Sequence, residues 1–138
     1  MTISTFGDEP WSAIVYFLHD QVLNLYFVSQ PDDYHSKNIE INSKVACTIY
    51  DSTQPNWAQK KGIQLNGTVE VVNNLAKVAQ MVKLWNKIIA KEEGVRFKPE
   101  QLLKAGSSRV YKVKPHMIKF FNEELYPDDK GNVLTLNS

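Results

Sequence analysis

Residues 10–39 read PWSAIVYFLHDQVLNLYFVSQPDDYHSKNI, and the fold is decided here. Two runs rich in aromatic and β-branched residues, 11–18 and 23–29, flank the polar turn His19-Asp20-Gln21. That pattern predicts a strand paired back on a second strand as a hairpin. Residues 30–38 then form a polar elbow, and a short helix over 38–42 follows. A sheet edge that runs into a helix N-terminus leaves backbone N–H groups unpaired and a dipole that favours negative charge. His35 and Lys37 add two side-chain donors, so the elbow is a candidate phosphate site. The same residues also compose an ordinary solvated turn, and the spacing alone leaves both readings open.

The flanks extend this β pattern. Residues 1–6 read as a first strand, closed by the turn Phe6-Gly7-Asp8-Glu9-Pro10. Residues 11–18 carry apolar side chains on both faces, which predicts burial on both sides. In 44–50, Val45, Cys47 and Ile49 alternate with Ala46, Thr48 and Tyr50. Residues 51–61 make a polar loop whose Trp57 could cover a ligand or fill a core or dimer contact. Residues 62–72 are the longest strand, with Ile63, Leu65, Val69 and Val71 on one face and Gln64, Asn66, Thr68 and Glu70 on the other. Gly67 within it marks a bulge or a close backbone approach.

Residues 73–90 repeat apolar side chains at helical spacing and predict the main helix, with Gly94 beyond its end. A shorter helix is expected over 97–103. Two closing strands, 107–113 and 116–122, are expected around Lys114-Pro115, and the tail from Glu123 reads as acidic and loop-like. The fold class is mostly β, antiparallel, with minor helices. One domain spans 1–138, and a closed or split β-barrel would hide the edges of so many short strands.

Composition narrows the function. The chain has 138 residues, 16 basic and 15 acidic, for a formal net charge of +1. That balance does not point to a nucleic-acid or membrane-surface partner. One cysteine, Cys47, precludes an internal disulfide and fits a reducing, cytoplasmic setting; it reads as a small buried hydrophobe. His19, His35 and His116 are scattered and predict no metal site. No phosphate loop, dinucleotide fingerprint or nucleophile elbow is present.

Taken in order, residues 10–17, 25–29, 35–39, 44–46 and 62–70 resemble the pyridoxamine 5′-phosphate oxidase-like flavoproteins, which are FMN-binding split β-barrels. The resemblance continues weakly to Asn122. It implies a homodimer with FMN at the subunit interface and a small-molecule substrate. It further implies that Ala13, Ile14, Val15 and Tyr16 offer backbone groups to the flavin ring. Val28 and Ser29 end the next strand, and the Ser29 hydroxyl reaches the phosphate. Tyr34 and His35 fall where the family places a basic pair, with Lys37 just beyond. Gln64 borders the ring on a strand that commonly comes from the partner subunit, and Phe121 falls where an aromatic packs at the flavin.

Three departures shape the expectation. Ala13 and Tyr34 stand where arginines are usual, which leaves Lys37 to supply the missing charge. No Arg-x-His substrate motif follows Phe121, so oxidation of pyridoxamine 5′-phosphate is not expected. The N-terminal helix common in the family is not seen, which implies a compact variant or a late start. The resemblance names no catalytic side chain. It implies an FMN-dependent oxidoreductase, with a non-catalytic flavin- or haem-binding module on the same barrel as the alternative.

Overall fold

The computed structural model describes residues 1–88, 96, 98–104, 106–127 and 132–136. Eight strands alternate with two helices: β1 (Thr2–Phe6), β2 (Pro10–Ile14), β3 (Leu18–His19), β4 (Leu25–Ser29), α1 (Tyr34–Ile41), β5 (Lys44–Tyr50), β6 (Lys61–Val71), α2 (Leu75–Ile88), a 3-10 turn (Pro99–Leu103), β7 (Arg109–Asn122) and β8 (Asn132–Thr135). The strands form one antiparallel sheet in the order β2-β1-β5-β6-β7-β4-β3, with β8 added beside β7. The sheet curls into a half-barrel. Its two edge strands, β2 and β3, are consecutive in the chain.

Period-two alternation sends one side of each strand inward. Ile3, Val15, Leu25, Phe27, Val45, Cys47, Leu65, Val69, Tyr111 and Val113 meet there, with Phe27 stacked on Tyr111. Ile39 of α1 joins the same core. Burial pushes the Cys47 thiol up to about 12, so it is an inert part of the core, as its neighbours predict. On the outside, α2 lays Val78, Met81 and Val82 over Tyr26, Val72 and Val110. Trp85 packs on Leu18 beside Val28.

Several expectations change. The run 11–18 is two strands rather than one: β2 pairs with β1, and only Leu18 and His19 pair with β4. Its predicted double burial fails, because Trp11 is 47%, Ile14 89% and Tyr16 74% exposed. The described residues cover the Ala13 and Val15 side of this strand and leave the Ile14 and Tyr16 side open. The first helix begins at Tyr34, four residues before the expected start, with Asp33 as its non-helical N-cap residue. Residues 107–122 hold one long strand instead of two, because Pro115 is absorbed in a bulge. The β6/β7 register steps from Asn66↔Met117 to Gly67↔Pro115, which leaves His116 as the extra residue. Gly67 is needed there, since a Cβ would collide with the Lys114 carbonyl. The tail carries a strand, β8, that its composition hides. The expected ends of the second helix at Ile89 and Ala90, its stop at Gly94 and the next start at Phe97 lie outside the described residues.

Candidate functional site

The first part of the site is the free edge of β2. The Met1 amino group donates to the Val15 carbonyl at 2.9 Å, and the Val15 N–H returns a bond to Met1 at 3.0 Å. In an antiparallel ladder such doubly bonded pairs alternate with unbonded ones. Ala13↔Ile3 and Trp11↔Thr5 are therefore the next bonded pairs. The N–H and C=O groups of Ser12 and Ile14 point the other way, to the open edge of the sheet. Of the four residues singled out here, Ala13 and Val15 turn their side chains to the core, while Ile14 and Tyr16 turn theirs outward.

The elbow lies beside this edge. Tyr34, the first residue of α1, meets the Trp11 ring at 4.8 Å between centroids. Asn38 ties the helix to the β1–β2 turn, donating to Thr5 Oγ1 at 3.2 Å. Asp33 occupies the N-cap position, yet its carboxylate does not cap the helix; it accepts from the Gln30 N–H at 3.0 Å. The first-turn N–H groups of α1 have no intrahelical acceptor. Lys37 is exposed on this turn.

His35 differs from its expected role as a charged phosphate donor. It is buried, and its Nε2 lies 2.8 Å from the equally buried Ser29 Oγ. Burial lowers its pKa, against a smaller upward pull from Asp33, so the ring is neutral near pH 7. With Nε2 protonated, the ring donates to Ser29 and the hydroxyl keeps its own proton for a third group. The pair is no hydrolytic triad: the Asp33 carboxylate is 3.9 Å from the same Nε2, not from the far ring nitrogen.

The second part lies across the sheet. Register partners run Ile14↔Thr2, Thr2↔Thr48, Thr48↔Gln64 and Gln64↔Lys119, one row on the outer face. Phe121 sits on the same face; its ring covers Gly62, where a Cβ would stand 2.8 Å from it. Thr48, Tyr50, Asp51, Gln54, Lys61 and Phe121 border an open recess of about 330 Å³. Three strand spacings separate Ile14 from Gln64, about 14 Å. One chain therefore does not bring its β2 edge and Gln64 to the same small molecule. Val28 stands apart from both, its side chain packed under α2. The sequence reading passed over Trp11 as a surface aromatic and Thr48 as a neighbour of Gln64. Alternation along 44–50 could have found Thr48, whereas nothing local reveals that Trp11 meets Tyr34.

The family model described as pyridoxamine 5′-phosphate oxidase matches residues 1–122. The chain belongs to the pyridoxamine 5′-phosphate oxidase family. Among solved structures, General Stress Protein 26 from Bacillus anthracis str. Sterne is 19% identical, with a TM-score of 0.67 over 98% of this chain and 87% of that one. HutZ, the heme storage protein from Vibrio cholerae, is 15% identical, with a TM-score of 0.61 over 83% of this chain and 79% of its own. An F420 reductase is 17% identical, with a TM-score of 0.61 over 85% and 86%. No curated protein matches the chain. At these identities the likeness extends the pyridoxamine 5′-phosphate oxidase-like split barrel over nearly the whole chain and shows the fold alone. Among the described residues no group of three His, Cys, Asp or Glu side chains could hold a metal, and no helix is long and apolar enough to cross a membrane.

Proposed function

We propose that this member of the pyridoxamine 5′-phosphate oxidase family is a cytoplasmic, homodimeric FMN-binding oxidoreductase acting on a small molecule other than pyridoxamine 5′-phosphate. The observation that carries the reading is the distance across the outer face. The β2 edge, with its free backbone groups, and the Gln64–Phe121 pair lie too far apart within one chain to border one ring. A two-fold copy can set the second against the first, and the exposed Ile14 and Tyr16 give such a copy an apolar surface to cover.

The donor set fits a flavin phosphate. Ser29, held by His35, offers a hydroxyl; Lys37 offers an ammonium; the uncapped first turn of α1 offers backbone N–H groups. Asp33 opposes an anion here, and its bond to the Gln30 N–H turns part of that charge aside. The Ser12 and Ile14 backbone groups would face the ring system. FMN, when bound, supplies the electron and hydride chemistry. The chain's task is to orient the ring, exclude water and fix the phosphate.

Apo-protein titrated with FMN and with riboflavin tests this. Lys37→Ala should weaken FMN by about 1.5–3 kcal/mol, the worth of a charge-assisted hydrogen bond, and leave riboflavin unchanged. An FMN dissociation constant within about twofold of wild type would remove the phosphate from this elbow. Steady peroxide release with pyridoxamine 5′-phosphate would overturn the substrate statement. The likeness to HutZ favours one alternative, a haem- or flavin-holding module without turnover. A Soret band in the purified protein supports haem, and a band near about 450 nm supports flavin.

A further inference from the structure

The half-barrel is open at one end. Toward the other end Ile39 of α1 belongs to the same buried core as Val45, Val69 and Phe27. At the opposite ends of the same strands, Phe17, Leu25, Ile49, Ile63, Leu65 and Ile118 surround a cavity of about 290 Å³. Leu25 and Leu65 are buried core residues, and Phe17, Ile49, Ile63 and Ile118 pack against that core. The cavity is thus the barrel's own interior, not the outer face that holds Gln64 and Phe121. Void space of about 150 Å³ lined by Leu, Ile and Phe stays dry and takes up benzene or xenon, so this one has room for a substituted ring.

Its rim is built in advance. The Asp20 carboxylate accepts from the Val22 and Asn24 N–H groups, from Asn24 Nδ2 and from the Tyr26 hydroxyl. That knot holds Leu23 at a φ of 66°, a left-handed conformation a branched side chain adopts only when its surroundings impose it. The strained Leu23 lines the cavity mouth. Beside it, His19 is the one polar side chain of the lining among the described residues. Its Nδ1 lies 3.1 Å from the Asp20 carbonyl, which can only accept, so Nδ1 carries the proton. In the neutral ring Nε2 is then an acceptor, and an acceptor on an apolar wall selects a ligand that donates.

We propose that the open end of the barrel is a second binding site, for an uncharged single-ring apolar molecule with one hydroxyl or N–H donor, a phenol being the simplest. The site does not depend on the flavin reading. Titrating the protein as purified with p-cresol and with toluene, and following the Ile49, Ile63 and Ile118 methyl resonances, tests it. Saturable p-cresol binding with a Kd below about 1 mM is expected. Toluene should bind about fivefold more weakly, a single hydrogen bond's difference. His19→Phe should erase that preference and keep toluene binding. Ile118→Phe should fill the space and weaken both by about tenfold; if it fails to fold, the wild-type spectra decide. Four results would overturn the proposal: no saturation, equal affinity for cresol and toluene, shifts confined to the Trp11–Tyr34 face, or methyl shifts that track protein concentration without ligand, which would seat a second copy over the mouth.

Discussion

Over β3, β4 and β7, α2 lays Val78, Met81, Val82 and Trp85, all buried. On the outer side of β2, β1 and β5, Ile14, Tyr16 and Tyr50 stay open, Ile14 at 89%. The two walls draw on the same kinds of residue. They differ in whether the chain itself supplies the cover. Scattered surface apolar residues need no explanation, but apolar side chains exposed beside an edge strand with unpaired backbone groups make a candidate interaction face. The covered wall carries stability; the open wall is where the proposed dimer and ligand would sit.

Substitutions can break that contrast. The largest effect is expected from Trp85→Ala on the covered wall: a loss of about 3–5 kcal/mol in chemical denaturation, from lost burial and the cavity left behind. Next comes Asp20→Asn, where β3 meets α2. Burial alone would raise the Asp20 carboxyl, but hydrogen bonds from Asn24, Tyr26 and the Val22 N–H together hold it below its usual range. A carboxyl whose folded pKa is depressed stabilises above the unfolded value and loses that contribution as pH falls through the folded one. Wild-type stability should therefore drop below about pH 4. Asp20→Asn should cost about 1–3 kcal/mol near neutrality and flatten that acid limb, read as thermal midpoints against pH.

The smallest effect on the chain itself is expected on the open wall. Ile14→Ser should change unfolding of the isolated chain by less than about 0.5 kcal/mol. It should nonetheless populate monomer at concentrations where wild type sediments as a dimer. An unchanged sedimentation profile would remove Ile14 from the interface and collapse the contrast between the walls.

Much of this was legible in residues alone. Alternation gave β5 and β6 face by face, and the helical stripe gave α2, because each pattern is local. Gly67 announced the bulge, since only a glycine tolerates the approach of the Lys114 carbonyl. Ser29 and His35 meet at one elbow, with Lys37 exposed on the first turn of α1. That His35 is buried against Ser29 was not legible. A histidine in a polar turn and one under a helix look alike in sequence; the difference lies in where α1 docks. The split of 11–18 into β2 and β3 was hidden for a similar reason. Both pieces are apolar, and only pairing with distant partners tells them apart.

The bulge at His116 has a consequence for how β7 can change. Beyond it Met117, Lys119 and Phe121 share the outer face with the Gln64 row, while before it Tyr111 and Val113 face the core. All five are odd-numbered, and a regular strand would put them on one side. The extra residue shifts the reading frame of the strand by one, so a single strand serves the core with one half and the outer surface with the other. Removing His116 would put the halves back in phase, and either Tyr111 would turn to solvent or Phe121 would turn inward. A one-residue deletion here is thus not a local event, whereas the loop at 51–60 can change length without altering which side any strand residue faces.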